Sequence, residues 1–358
     1  MGNYFSLEVR MRKKKICILS AHVPFVMGGA ELMIQSLRKN LVKRGYDTEI
    51  ITIPFKWYPE NSLYDSMLTW RMIDLEEANG EKIDLVIGTK FPSYGVQHSN
   101  KVIWTIQQFR QAYDLYNTEH GLHKVENGAN IRKRIQKYDE ICFSEAKKVF
   151  TISKNVSKRL ETYNHINSVP LYQPPSLEGR YYADESEDYI LSVGRLDKLK
   201  RVDLLLKALP FCDKKIRLKI AGKGAELEAL QKLARLLKIE DRVDFLGFVD
   251  DDMLLELYAK AIAVYFAPVD EDYGFITLEA FFSHKPVVTC KDAGGVLEFV
   301  EDEKNGFVCS ASPEEIGERF NDIFYHKSKA KEMGEMGFHV VKDIGWDSIV
   351  DNLTSTIR

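Results

Sequence analysis

Short apolar runs return along this chain at helix-length intervals, and that alternation limits its fold more than any other feature. Residues 16–19, 49–53, 83–87, 102–106 and 149–152 read as buried strands. The first leads through Gly28-Gly29 into a helical stretch that ends at Arg44. After residue 188 the rhythm resumes, with strands at 189–193, 217–221, 243–246, 261–267 and 286–290. Helical segments at 202–209, 226–237 and 253–260 lie between them, and a last one spans about 346–356. Strands separated by helices build parallel, doubly wound sheets. The expected fold class is α/β.

Residues 164–187 interrupt the pattern with Pro170, Pro174, Pro175 and Gly179, followed by most of the acidic tract at 184–188. Proline stops helices, so this stretch reads as an interdomain linker. A chain of 358 residues is long enough for two domains. The expected division is 1–172 and 173–344, with 345–358 a closing segment.

The make-up is that of a folded protein, with 45% hydrophobic and 29% charged residues. No apolar run is long enough to span a bilayer, and the first fifteen residues lack a signal-peptide core. Cys17, Cys142, Cys212, Cys290 and Cys309 are scattered and never form a CxxC pair, which argues against structural zinc and for a reducing, cytoplasmic setting. The net charge of −3 is unevenly spread. Residues 1–172 carry 25 basic and 18 acidic side chains, a balance of +7, and the remainder balances at −10. The basic half suits an anionic membrane surface or a phosphate-bearing acceptor; no nucleic-acid partner is expected. Met1-Gly2-Asn3-Tyr4-Phe5-Ser6 fits a myristoylation pattern with Arg10 and residues 12–15 as a basic supplement, but Met11 is an alternative start and a chance match is preferred.

Ligands of open parallel sheets bind at the carboxyl ends of the strands. In the second half those ends carry Gly194-Arg195 through Lys200, Gly222-Lys223-Gly224, Gly247-Phe248, residues 270–275 and Asp292-Ala293-Gly294-Gly295. Glycine admits close backbone approach, and Arg195 and Lys200 are cations placed to meet an anion such as a nucleotide diphosphate. Glu271 falls in a loop and Glu279 early in a helix at 276–282. Carboxylates in such places accept hydrogen bonds from vicinal sugar hydroxyls.

Together these motifs resemble family 4 retaining glycosyltransferases of the GT-B fold. Gly194-Arg195-Leu196, Lys200, and Glu271 and Glu279 within EDYGFITLEA carry the resemblance. Gly28-Gly29-Ala30-Glu31, Gly294-Gly295-Val296-Leu297-Glu298 and Asn305-Gly306 extend it over nearly the whole chain from Ile16. It implies two Rossmann-like domains facing a central cleft, with a C-terminal helix crossing back to the first. It implies that Arg195 and Lys200 hold the diphosphate, that Glu271 meets the donor sugar with amides near Gly274 and Phe275, and that Glu279 binds ribose. Phe248, with backbone near it such as Gly222 and Gly224, would meet the base and phosphates, and Gly28-Gly29 would lie near phosphate and acceptor. The implied reaction moves a hexose from a nucleotide sugar to a glycan or lipid-linked acceptor in cell-surface polysaccharide synthesis, with no metal and no separate cofactor.

Two departures stand out. Gln107-Gln108 occupies the place of the family's usual histidine, and Gln107 can hydrogen-bond a hydroxyl but cannot shuttle a proton. Arg201 follows the diphosphate lysine where glycine is usual. His22 and His98 are weaker substitutes for the missing histidine. A catalytically silent GT-B subunit is the alternative reading. Asp250-Asp251-Asp252 and Asp270-Glu271-Asp272 satisfy a DxD metal pattern, though the first reads better as a helix cap. No GxGxxG follows the first strand, against a dinucleotide oxidoreductase.

Overall fold

The structure, a computed structural model, describes residues 12–26, 28–119 and 121–357. The myristoylation-like segment and Met11 lie outside the described residues. Two compact units emerge. One holds the described residues of Met1–Thr151, Ser157–Leu171 and Trp346–Arg358; the other holds Ile152–Val156 and Tyr172–Gly345.

The first unit contains β1 (Lys15–His22), α1 (Gly29–Lys43), β2 (Asp47–Pro54), α2 (Asn61–Met72), a small antiparallel pair β3 (Glu77–Ala78) and β4 (Glu81–Lys82), β5 (Leu85–Lys90), β6 (Lys101–Gln107), α3 (Gly128–Ser144) and β7 (Lys148–Thr151). Helix α4 (Lys154–Asn164) and β8 (Val169–Pro170) follow. The main sheet is parallel, in the order β2-β1-β5-β6-β7-β8. Ile16, Ile18 and Leu19 are buried beneath helices on the faces of β1, which explains a nearly unbroken apolar run. Pro170 belongs to the edge strand β8, a position where a missing N–H is tolerated, so a strand opens the stretch expected as linker.

The second unit runs β9 (Tyr189–Val193), α5 (Val202–Ala208), β10 (Arg217–Ala221), α6 (Leu227–Leu236), β11 (Val243–Gly247), α7 (Asp251–Lys260), β12 (Ala263–Tyr265), α8 (Phe275–Phe282), β13 (Val287–Cys290), β14 (Gly306–Cys309), α9 (Pro313–Tyr325) and α10 (Lys327–Val341). Its sheet is again all parallel, β11-β10-β9-β12-β13-β14. Leu205, Leu209, Ile216, Leu218 and Phe320 fill its core. Strand β12 is shorter than the apolar run that announced it. Phe266 N–H nevertheless donates to Val288 O at 3.0 Å, so the chain stays extended beyond the named strand.

The last helix, α11 (Trp346–Leu353), belongs to the first unit. Trp346 meets Trp104 edge to face at 6.4 Å, Tyr46 Oη donates to Thr354 Oγ1 at 3.2 Å, and Arg44 pairs with Asp347. All five cysteines are buried and free. No helix among the described residues is long and apolar enough to cross a membrane.

Candidate active site

Six loops leave the carboxyl edge of the second sheet, and five of them, those after β9 to β13, carry the sequence motifs. After β9, Gly194 takes a φ of +129°, and its N–H donates to Ala221 O at 3.0 Å. Gly222, at a φ of +152°, passes so near that a Cβ would fall 1.8 Å from Gly194 O; a Cβ on Gly224 would fall 2.1 Å from Leu196 O. These two positions therefore require glycine for close backbone approach. Phe248, after β11, is 77% exposed, with Lys223 Nζ 5.9 Å from its ring centre.

The loop after β9 closes on Asp197, whose carboxylate accepts from Lys200 N–H at 3.2 Å. This turns Lys200 toward the loop after β12, where its ammonium pairs with Glu271. The pair is largely screened from water, with the Lys200 side chain 17% exposed, and Phe266 presents its ring 5.4 Å from the ammonium. Arg195 is different: its side chain is 72% exposed, and Asp197 stands 4.0 Å from its Nε. One cation is thus seated on a carboxylate while the other extends into solvent.

Arg201 does more than replace a glycine. Its φ of +49° is left-handed, the conformation that explains the family's usual residue at this place. Its side chain donates to Ala267 O at 2.7 Å and Pro268 O at 2.9 Å, and grips both oxygens of Asp292 at 2.9 and 2.6 Å. Asp292 O in turn accepts from Asp270 N–H, and Ala293 O from Glu271 N–H. One guanidinium therefore clamps the loops that carry Lys200 and Glu271 to a third loop.

Helix α8 starts at Gly274, which has a φ of +90° and lies so close to Val296 that a Cβ would meet its Cγ2 at 2.9 Å. Phe275 opens the helix and Glu279 follows one turn later. Tyr258 Oη donates to Glu279 Oε2 at 2.6 Å. Among the described residues no hydrogen bond reaches Oε1. Burial pushes the Glu279 carboxyl above its ordinary range, against the Tyr258 hydrogen bond that favours the ionised form.

The Gly294-Gly295 loop is structural here. Gly295 N–H donates to Glu271 O at 2.7 Å, and Glu298 accepts from the backbone N–H groups of Lys154 and Asn155 and from Tyr172 Oη. Asn155 Nδ2 reaches Asp270 Oδ1 at 2.9 Å and Glu271 O at 3.0 Å. Asn305 serves its own turn, accepting from Glu301 N–H and donating to Phe299 O. The DxD pattern at 250–252 resolves into a helix cap, because Asp250 accepts from Met253 N–H at 2.9 Å while Arg180 pairs with Asp251 and Asp252.

At the carboxyl edge of the first sheet, Gly28 N–H donates to Glu31 Oε2 at 3.0 Å as α1 begins. Glu31 also pairs with Lys90, at the end of β5, at 2.6 Å. Gln107 ends β6 beside Lys90 and is exposed, whereas Gln108 is buried and donates to Asn164 at 2.7 Å. His22 ends β1 at this edge. His98 lies at the opposite, amino edge, before β6, where its Nδ1 accepts from Asn100 N–H at 2.9 Å. Tyr258, Asn155 and the Glu31–Lys90 pair were not singled out in the sequence, since each is joined to its partner only by folding.

Residues 178–340 match the family described as glycosyl transferases group 1. Over 340 residues the chain is 26% identical to an uncharacterized glycosyltransferase of Methanocaldococcus jannaschii, covering 82% of this chain and 84% of that one. Among solved structures, sucrose-phosphate synthase from Thermosynechococcus elongatus superposes with a TM-score of 0.76 at 16% identity, over 96% of this chain and 98% of its own. Anabaena HepE in complex with UDP and glucose superposes at 0.68 and 18% identity, over 96% and 99%.

Proposed function

We propose that this chain, whose residues 178–340 match the group 1 glycosyltransferases and whose fold is that of GT-B enzymes, transfers a hexose, with retention of configuration, from a nucleoside-diphosphate sugar to a glycan or lipid-linked acceptor. The observation that carries this reading is the Lys200–Glu271 pair beside the exposed Arg195. Arg195 and Lys200 receive the diphosphate, and Glu271, displaced from Lys200 by the arriving phosphate, turns to the sugar hydroxyls. The unoccupied Glu279 Oε1 accepts from ribose. Phe248 offers a face to the base, and the first N–H groups of α8, after Gly274, point donors at the donor's charge.

Fixed positive charge beside the leaving diphosphate stabilises it as the glycosidic bond breaks, so the reaction proceeds without a metal. Gln107 and the Gly28-Gly29 loop meet the acceptor, whose hydroxyl proton passes to the departing phosphate rather than to a histidine. The basic balance of the first 172 residues supports a peripheral, salt-sensitive association with anionic membrane, in keeping with a lipid-linked acceptor and a cytoplasmic setting.

A thermal-shift panel of UDP, GDP, ADP and their sugars tests the donor, with UDP first because HepE was solved with it. Saturating ligand at a hundredfold excess over Kd stabilises by about 2.7 kcal/mol. Turnover of the stabilising sugar in EDTA is expected. The reading fails if no nucleoside diphosphate shifts the melting point, or if chelator abolishes transfer and Mn²⁺ restores it. Donor binding without turnover would assign the chain to a silent subunit.

A further inference from the structure

The amino ends of the second sheet frame a cavity of about 600 Å³, on the edge away from the loops described above. Residues 183–186 before β9, Ile262 before β12, the turn 284–286 before β13, and side chains of α10 form its wall. Lys285 lies on that wall and is only 4% exposed. Its ammonium donates to Ser186 Oγ at 3.1 Å and to Asp184 O at 3.3 Å, both uncharged acceptors at long range. Among the described residues it forms no ion pair. Burial pushes it down to about 8, with Asp184 opposing and Lys331 reinforcing the shift.

A buried ammonium is normally paired, because desolvation without a counter-charge is costly. Here the third N–H and part of the charge are left unanswered beside an open space. Asp184 offsets part of that charge, but no carboxylate on the wall forms an ion pair with Lys285 among the described residues. Asp184 Oδ1 takes Glu185 N–H at 2.7 Å, Glu335 Oε2 stands 2.9 Å from His284 Nδ1, and Lys327 pairs with Asp188. Lys331, exposed on α10, adds a second cation without an ion pair of its own among the described residues.

We propose that this cavity is an anion site in which Lys285 and Lys331 hold the phosphate of a small phosphate monoester. The volume exceeds a bare phosphate and falls in the usual range for small-molecule pockets. Glu185 and Asp184 face the remainder as hydroxyl acceptors, which favours a phosphorylated polyol over an apolar phosphate. Lys285 N–H donates to Ala280 O at 2.9 Å, so the occupant rests against the turn that closes α8, the helix of Glu279.

The test uses the full chain carrying Lys200→Ala, which disables the proposed diphosphate site, with inorganic phosphate and glucose 6-phosphate as probes in chloride buffer. Calorimetry and thermal shift are expected to show saturable binding at pH 7, tighter for glucose 6-phosphate. Lys285→Met and Lys331→Ala should each weaken it at least tenfold. Affinity should fall as pH rises past 8, where Lys285 loses its charge. Lys331→Ala alters an exposed side chain and keeps the test valid if Lys285→Met misfolds. The proposal is overturned if neither probe binds saturably, if both cavity variants bind as well as their parent, or if Lys200→Ala alone removes all phosphate binding.

Discussion

Asp139 on α3 and Glu279 on α8 are both carboxyls whose protonated form burial favours, yet the two units finish them differently. Asp139 Oδ1 accepts from Tyr94 Oη at 2.7 Å and Oδ2 from Tyr113 Oη at 2.6 Å. Glu279 accepts from Tyr258 on one oxygen and, among the described residues, keeps the other open. A carboxyl saturated by its own chain organises a core; one left half saturated retains capacity for a ligand. The sheet edges show the same contrast. In the first unit Lys90 is closed off by Glu31, while in the second Arg195 remains exposed.

Removing each carboxyl should separate the two roles. Asp139→Ala leaves two buried tyrosine hydroxyls without their acceptor, at about 1–3 kcal/mol each. Urea denaturation is expected to show a loss of about 3 kcal/mol or more, with nucleoside-diphosphate affinity unchanged while the fold persists. Glu279→Ala should shift the balance: a smaller stability loss of about 1–3 kcal/mol, for the one buried hydroxyl of Tyr258 left without its acceptor, but about 1.5–3 kcal/mol lost in binding both free nucleotide and nucleotide sugar. Equal destabilisation by the two variants would break the contrast.

Glu271→Ala refines it within the second unit. Calorimetry should find free nucleotide binding nearly intact, while initial rates fall about ten- to a hundredfold. Full turnover in that variant would remove Glu271 from the sugar.

A smaller effect is expected with pH. Burial pushes Asp139 up to about 7, opposed by Tyr113 and Tyr94. A folded-state value above the unfolded one means that this group's contribution is complete below the unfolded carboxylate range and is lost as pH rises through about 7. Melting points between pH 4 and 8 should decline accordingly, and Asp139→Asn should flatten that part of the profile. An unchanged slope would show that other groups set it.

Arg201→Gly should change stability least. A left-handed residue costs roughly 1–2 kcal/mol relative to glycine, which offsets much of the lost clamp. Transfer should slow severalfold with nucleotide affinity retained; unaltered kinetics would mean that the three loops hold themselves.

The alternation of strands and helices was legible because parallel strands are buried on both faces, so β1 and β9 appear as nearly unbroken apolar runs. The glycine loops were legible for a related reason: Gly222 and Gly224 stand where no Cβ fits. Arg195, Lys200 and Glu271 showed themselves as charges in loops after strands, and Glu279 as a charge early in the helix that follows. Their partners did not. Tyr258 reads as an ordinary core position of α7, and nothing local ties it to a residue twenty-one places later. Arg201 looked like a lesser departure, because a clamp made by a side chain to Ala267, Pro268 and Asp292 exists only once three loops meet. Residue 152 read as the end of a strand and residues 153–156 as part of the first half; their place in the second unit goes with Glu298, more than 140 positions away.

That last segment matters for anyone recombining such proteins. Three donors converge on Glu298, and two of them are the backbone N–H groups of Lys154 and Asn155. A chimera joined once, at Tyr172, would inherit Glu298 from one parent and its amide partners from another. Those amides belong to the backbone and survive most sequence changes, but the loop that presents them does not, and Asn155 also supplies the side chain that meets Asp270 and Glu271. A graft of the whole second unit therefore needs two inserted segments, 152–156 and 172–345, with a return to the first parent between them and again at Trp346.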